Sequence, residues 1–183
     1  MNVDLLFWSK TKSNILKYLI FVEEWLSARE LENKLSQSFP AIKKQLDNLE
    51  QAWIISKNKN WNRWKIEVTK EIKPVIFKIF LFDMINFLKD LKERYFFLYD
   101  FLLWDLFFLD LTYKNWVDLI FIYSKVEDVF LNDVKKELSN FFDSYFLNIK
   151  ISFFEKSDYE KRLKYADKFI LNITKLNQDL IFN

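Results

Sequence analysis

Residues 28–55, ARELENKLSQSFPAIKKQLDNLEQAWII, hold two helices and the short link between them, and the first part of the fold is read from them. Ser27 stands three residues before Glu30, the spacing of a capping box, in which hydroxyl and carboxylate each accept the other residue's amide. Ala28, Leu31 and Leu35 then share one stripe, so a short helix is expected over 28–36. Ser38 is the next capping residue, and Pro40 suits a first helical turn, where the amide it lacks has no partner anyway. Ile42, Leu46 and Leu49 follow on one face, with Lys43, Lys44, Asp47 and Asn48 on the other. The pattern predicts a third helix whose N-terminal half is basic.

Upstream, Ser9 or Thr11 caps a first helix that carries Ile15, Leu16, Leu19 and Ile20 and ends near Val22. Downstream of Ala52, β-type segments at 54–56 and 64–68 flank a polar turn at 57–63, which reads as a hairpin. Pro74 disfavours helix in Lys73 and offers no amide, so a domain boundary is expected there, giving domains 1–73 and 74–183. Beyond it, periodicity gives a helix over 75–94 and leaves 96–103 open between strand and buried helix. A strand at 117–123, a helix at 127–142, a strand at 147–153 and a helix at 158–172 follow, which implies a sheet with helices packed on it and an α+β chain.

A length of 183 residues allows one or two small domains. With 51% hydrophobic and 30% charged residues, composition excludes a disordered polar tail or a fibre. Cysteine and histidine are both absent, which removes disulfides, thiolate metal sites and imidazole bases. Any catalysis would rest on carboxylates, hydroxyls and lysines, and no cofactor or metal is expected. The net charge of +2 points to no partner, but its distribution does. Residues 1–73 hold 13 basic against 9 acidic residues, and 74–183 hold 15 against 17, so the positive field belongs to the first part.

The opening MNVDLLFWSK lacks the basic start and apolar run of a secretory signal. The most apolar stretch, 95–111, is shorter than the ~20 residues a spanning helix needs and is interrupted by Asp100, Asp105 and Asp110. A cytoplasmic protein with no membrane partner is expected. The five-residue recurrence of those aspartates matches neither helix nor strand period and reads as accidental, while Phe96, Phe97, Phe107 and Phe108 read as core.

Glycine is missing from the whole chain, although an ordinary composition holds about 7% of it. Tryptophan stands at 8, 25, 53, 61, 64, 104 and 116. Trp53 follows the third helix at a position that commonly needs a left-handed backbone, and Trp61 lies in the expected hairpin turn. Two accounts stay open: genuine tryptophans tolerated on a drifting surface, or UGA codons read as glycine by the source organism and translated here as tryptophan.

The order helix, helix, helix, hairpin over residues 5–70 resembles a winged-helix DNA-binding domain of bacterial and archaeal regulators. The opening LLFWSKTKSNILKYLI resembles the "LFGSKTR…ILK.L" start of winged helices fused to nucleotidyltransferase-like domains, with Trp8 in the place of its glycine. The stretches FLLWDLFFLDLTYKNWVDLIFIYSKVEDVFLNDVKKEL and LNIKISFFEKSDYEKRLKYADKFI are similar to that small nucleotidyltransferase fold. The resemblance thus implies an N-terminal winged helix-turn-helix followed by a small nucleotidyltransferase-like α/β domain. Active members carry a Gly-Ser pair and, about ten residues on, an Asp-x-Asp. Here those positions fall on Trp104 and Asp105 and on Trp116, Val117 and Asp118. Amides of the Gly-Ser turn cradle phosphates and the paired carboxylates hold magnesium. With only Asp118 kept, a degenerate domain without catalysis is expected.

Taken alone, Ser38, Lys43 and Lys44 describe a capped and solvated helix face. In a winged helix the same positions meet phosphates or base edges in the major groove. Lys57, Lys59 and Arg63 read either as an ordinary polar loop or as a wing on the DNA backbone. Double-stranded DNA is the partner this implies, with a homodimer and a protein or small-ligand partner at the second domain as further implied partners. The leading expectation is a transcriptional regulator. An active nucleotidyltransferase and the antitoxin-type component of a toxin–antitoxin pair are the alternatives.

Overall fold

The computed structural model describes residues 7, 9–22, 25–61, 63–104, 116–168 and 170–171, with the backbone alone at 25, 28, 59–60, 103–104 and 116–118. Among these residues there are six helices and two three-stranded sheets, a mixed α+β architecture. None of these helices is long and apolar enough to cross a membrane. Contact density divides the chain into residues 1–86 and 87–183.

In the first unit, α1 (Lys10–Phe21) starts on Ser9, whose Oγ accepts the Lys12 amide at 3.3 Å, and it buries Ile15, Leu16, Leu19 and Ile20. Strand β1 (Trp25–Leu26), which sequence reading missed, is too short to show a period. The capping box at α2 (Ala28–Leu35) is complete: the Ser27 amide donates to Glu30 Oε2 at 2.6 Å and the Glu30 amide to Ser27 Oγ at 3.3 Å. Helix α3 (Phe39–Gln51) buries Ile42, Leu46 and Leu49 and packs on α1 and α2.

The start of α3 differs from expectation in its chemistry. Ser38 holds the N-cap position with extended backbone but makes no side-chain cap hydrogen bond. The Phe39 amide donates instead to Glu32 Oε1 at 2.6 Å, so a carboxylate from α2 satisfies an otherwise orphaned amide and meets the positive end of the helix.

The hairpin also differs. Strands β2 (Ile55–Asn60) and β3 (Arg63–Val68) pair antiparallel from Ile55↔Val68 to Asn60↔Arg63, so the turn is confined to positions 61–62 rather than spanning 57–63. Backbone ladder bonds form whatever the side chains are, and β2 is an edge strand in the order β1-β3-β2, where lysine and asparagine are well tolerated. Polarity had concealed the strand.

Helix α4 (Lys73–Arg94) begins one residue before Pro74, with the Lys73 amide donating to Thr69 O at 2.9 Å. Proline here occupies a first turn, where it is tolerated. The division by contact density falls later, between Asn86 and Phe87 inside α4.

In the second unit, β4 (Leu98–Trp104) resolves the ambiguity at 96–103 as a strand, antiparallel to β5 (Trp116–Tyr123). β5 runs parallel to β6 (Asn148–Glu155), and a parallel pair needs a crossover, which α5 (Asp128–Asp143) supplies. α5 packs on β6 and buries Leu131, Val134, Leu138 and Phe142. Leu102, Ile120 and Ile122 form a second core cluster with Tyr159 and Ile170. Tyr159 belongs to α6 (Lys156–Lys164), which ends earlier than expected because Ala166 turns left-handed at φ 53° and the Asp167 amide closes onto Arg162 O.

Candidate nucleic-acid interface

Burial of Ile42, Leu46 and Leu49 fixes which face of α3 turns outward. Lys43, Lys44, Asp47 and Asn48 are exposed there, and Ser38 is exposed at the N-terminal end. The two lysines stand in the first half of the helix, where the Glu32 carboxylate already occupies the Phe39 amide, so the lysines themselves supply the field that favours an anion. Asp47 and Glu50 occupy the second half and would oppose it.

Lys57 answers those two carboxylates. Its Nζ lies 2.7 Å from Asp47 Oδ1 and 2.6 Å from Glu50 Oε2, with its side chain only 17% exposed. Partial burial pulls its pKa down, but the hydrogen bonds to Asp47 and Glu50 outweigh this and hold the ammonium above its ordinary value. Lys57 is therefore a brace between β2 and α3, and its charge is spent within the protein. Sequence reading placed it in a turn as a free cation; the pairing spans ten residues and two elements, and no local pattern signals it.

The other hairpin cations are placed differently. Arg63 opens β3, is largely exposed, and lies 3.5 Å from Glu30 Oε1, a weak contact that leaves its guanidinium open to solvent. Lys59 sits on β2 opposite Trp64. Arg63 thereby joins the capping box of α2 to the hairpin. Glu30 has its carboxyl held below its ordinary value by the Ser27 amide and hydroxyl first, with Arg63 adding to them. The sequence identified the capping role of Glu30 but not its link to Arg63, nor the role of Glu32 at the start of α3.

In the second unit, β4, β5 and β6 bring Trp104, Asp118 and Lys150 into one row across the sheet, Trp104 opposite Asp118 and Asp118 beside Lys150. Trp116 opens β5 in register with Asn148, and Asp105 lies outside the described residues, as do Phe107, Phe108 and Asp110. Among the described residues no three His, Cys, Asp or Glu side chains gather as metal ligands.

No protein-family model matches the chain, and no curated protein does. Among solved structures the chain is similar to Lactococcus lactis ZitR, E41A mutant, with a TM-score of 0.39 and 15% identity over 75% of each chain, a likeness too distant to bear on function.

Proposed function

We propose that this chain is a DNA-binding transcriptional regulator, with a winged helix in residues 1–73 and a degenerate, non-catalytic nucleotidyltransferase-like domain in residues 74–183. The observation that carries the reading is the outward face of α3. Lys43 and Lys44 stand exposed in its first half, beside an antiparallel hairpin, while Lys57 pairs with Asp47 and Glu50 of its second half and offsets part of their charge. A helix presented in this way suits the major groove, with Ser38, Lys43 and Lys44 meeting phosphates and base edges. Lys59 and Arg63 at the end of the hairpin reach adjacent phosphates, the role of a wing. Lys57 supports the surface without touching DNA.

Two copies would read two half-sites a helical turn apart, which makes a homodimer the functional form. In the second domain, tryptophan at 104 and 116 and aspartate at 105 replace residues the transfer chemistry needs, and Asp118 alone holds magnesium poorly. That domain serves to bind a protein or small-ligand partner.

The test is duplex DNA binding across a range of salt concentrations. Affinity should fall steeply as salt rises, because each neutralised phosphate releases counterions. Absence of binding, or an affinity indifferent to salt, contradicts the reading.

A further inference from the structure

Among the described residues five carry a left-handed backbone, and two of them are tryptophans: Trp53 at φ 59° and Trp61 at φ 54°. The others are Ser36, Phe146 and Ala166. Two of the six described tryptophans thus adopt a conformation found in only three of all the other described residues. A Cβ atom makes that region costly, and a bulky residue stays there only when its surroundings repay the strain.

Neither ring is repaid. Trp53 is 81% exposed and Trp61 90% exposed, so neither buries its large apolar surface. Phe146 differs in that its side chain is half-buried.

Local hydrogen bonds show what each position requires. After α3, the Trp53 amide donates to Glu50 O and the Ile54 amide to Leu49 O, both at 2.9 Å. This pair of bonds is a Schellman motif with Trp53 at the residue that must turn left-handed, the site where glycine is most enriched in helix ends. Trp61 is the first residue of the two-residue turn joining Asn60 to Arg63. Tight hairpin turns that match the twist of their strands need positive φ at that residue and select glycine, asparagine or aspartate.

From the absence of glycine in all 183 residues and these two exposed, left-handed tryptophans, we infer that the protein made by its own organism carries glycine at positions 53 and 61. A UGA codon is one base from a glycine codon and one base from the tryptophan codon, so reading UGA as glycine in the source organism accounts for tryptophan standing where the backbone selects glycine. Trp64 is a different case, because its strand backbone suits tryptophan and does not call for glycine. It lies within β3, paired with Leu26 and Lys59, and its ring meets Phe39 at 6.0 Å between centroids.

The direct test is the mass of the tryptic peptide covering residues 45–57 from the protein purified out of its source organism. The expected mass is lower than the tryptophan sequence gives, by the difference between an indole side chain and a hydrogen. The full tryptophan mass overturns the inference. An independent measurement uses the tryptophan-bearing chain itself. Trp53→Gly and Trp61→Gly should each raise Tm by about 2–4 °C, against the usual direction for glycine, while Trp64→Gly should lower it. A fall in Tm for both turn variants also overturns it. Neither measurement involves DNA, so the inference fails or holds independently of the proposed function.

Discussion

Lys57 sits between two carboxylates of α3, and its fate shows how a single side chain is misjudged when only its neighbours in sequence are known. Lys43 and Lys44 were legible from sequence because their exposure follows from the helical period that buries Ile42 and Leu46. Lys57 was not, because its partners come from another element. The two kinds of lysine separate experimentally. Lys57→Ala should lower stability by up to about 1 kcal/mol, the scale of a partly exposed ion pair. It should leave the salt dependence of DNA binding unchanged, since no phosphate contact is lost. A salt slope reduced by a full unit in chemical-denaturation-competent, folded Lys57→Ala would show that this lysine touches DNA after all. Leu46, fully buried in α3, is the converse case: Leu46→Ala should cost about 2–5 kcal/mol in urea unfolding, through lost burial and the cavity left behind.

Elements with strong punctuation were read closely: the Ser27–Glu30 box gives α2, and the Ile42, Leu46 and Leu49 period gives α3. Elements lacking it were not. β1 has two residues, β2 is polar because it lies at a sheet edge, and α6 stops at a left-handed Ala166 that carries no glycine to announce it. Capping can be tested at α2, where Ser27→Ala should cost about 1 kcal/mol, measured by chemical denaturation; an unchanged midpoint would mean the box contributes nothing. Charge couples the end of α4 to α5. The Arg94 guanidinium lies 2.7 Å from Glu137 Oε2, and the Tyr95 hydroxyl donates to Glu137 Oε1 at 2.6 Å. Arg94 first and Tyr95 second hold the Glu137 carboxyl below its ordinary value of 4.5, against the opposing effect of burial. A depressed folded pKa contributes stability that is present above the ordinary value and lost as pH falls through the folded one. Acid should therefore weaken the protein below about pH 4.5. Glu137→Gln should be less stable near neutrality and decline less steeply in that acid window. Parallel pH profiles for the two proteins would remove Glu137 from the account.

Across the whole molecule, the two parts of the chain carry opposite charge, 13 basic against 9 acidic residues in 1–73 and 15 against 17 in 74–183. This fits a nucleic-acid contact confined to the first part. For the second, purified protein given labelled ATP and magnesium should transfer no nucleotide, and Asp118→Asn should change nothing. Transfer that Asp118→Asn abolishes would make the chain an enzyme. The central claim is that α3 presents its lysines to DNA, and one comparison addresses it directly: duplex binding by the unsubstituted chain and by Lys43→Ala/Lys44→Ala, each followed across salt. The double variant should fold normally, bind much more weakly, and show a salt slope flatter by up to about two units, one for each lost phosphate contact. An unchanged slope in a folded double variant would mean that α3 does not face DNA.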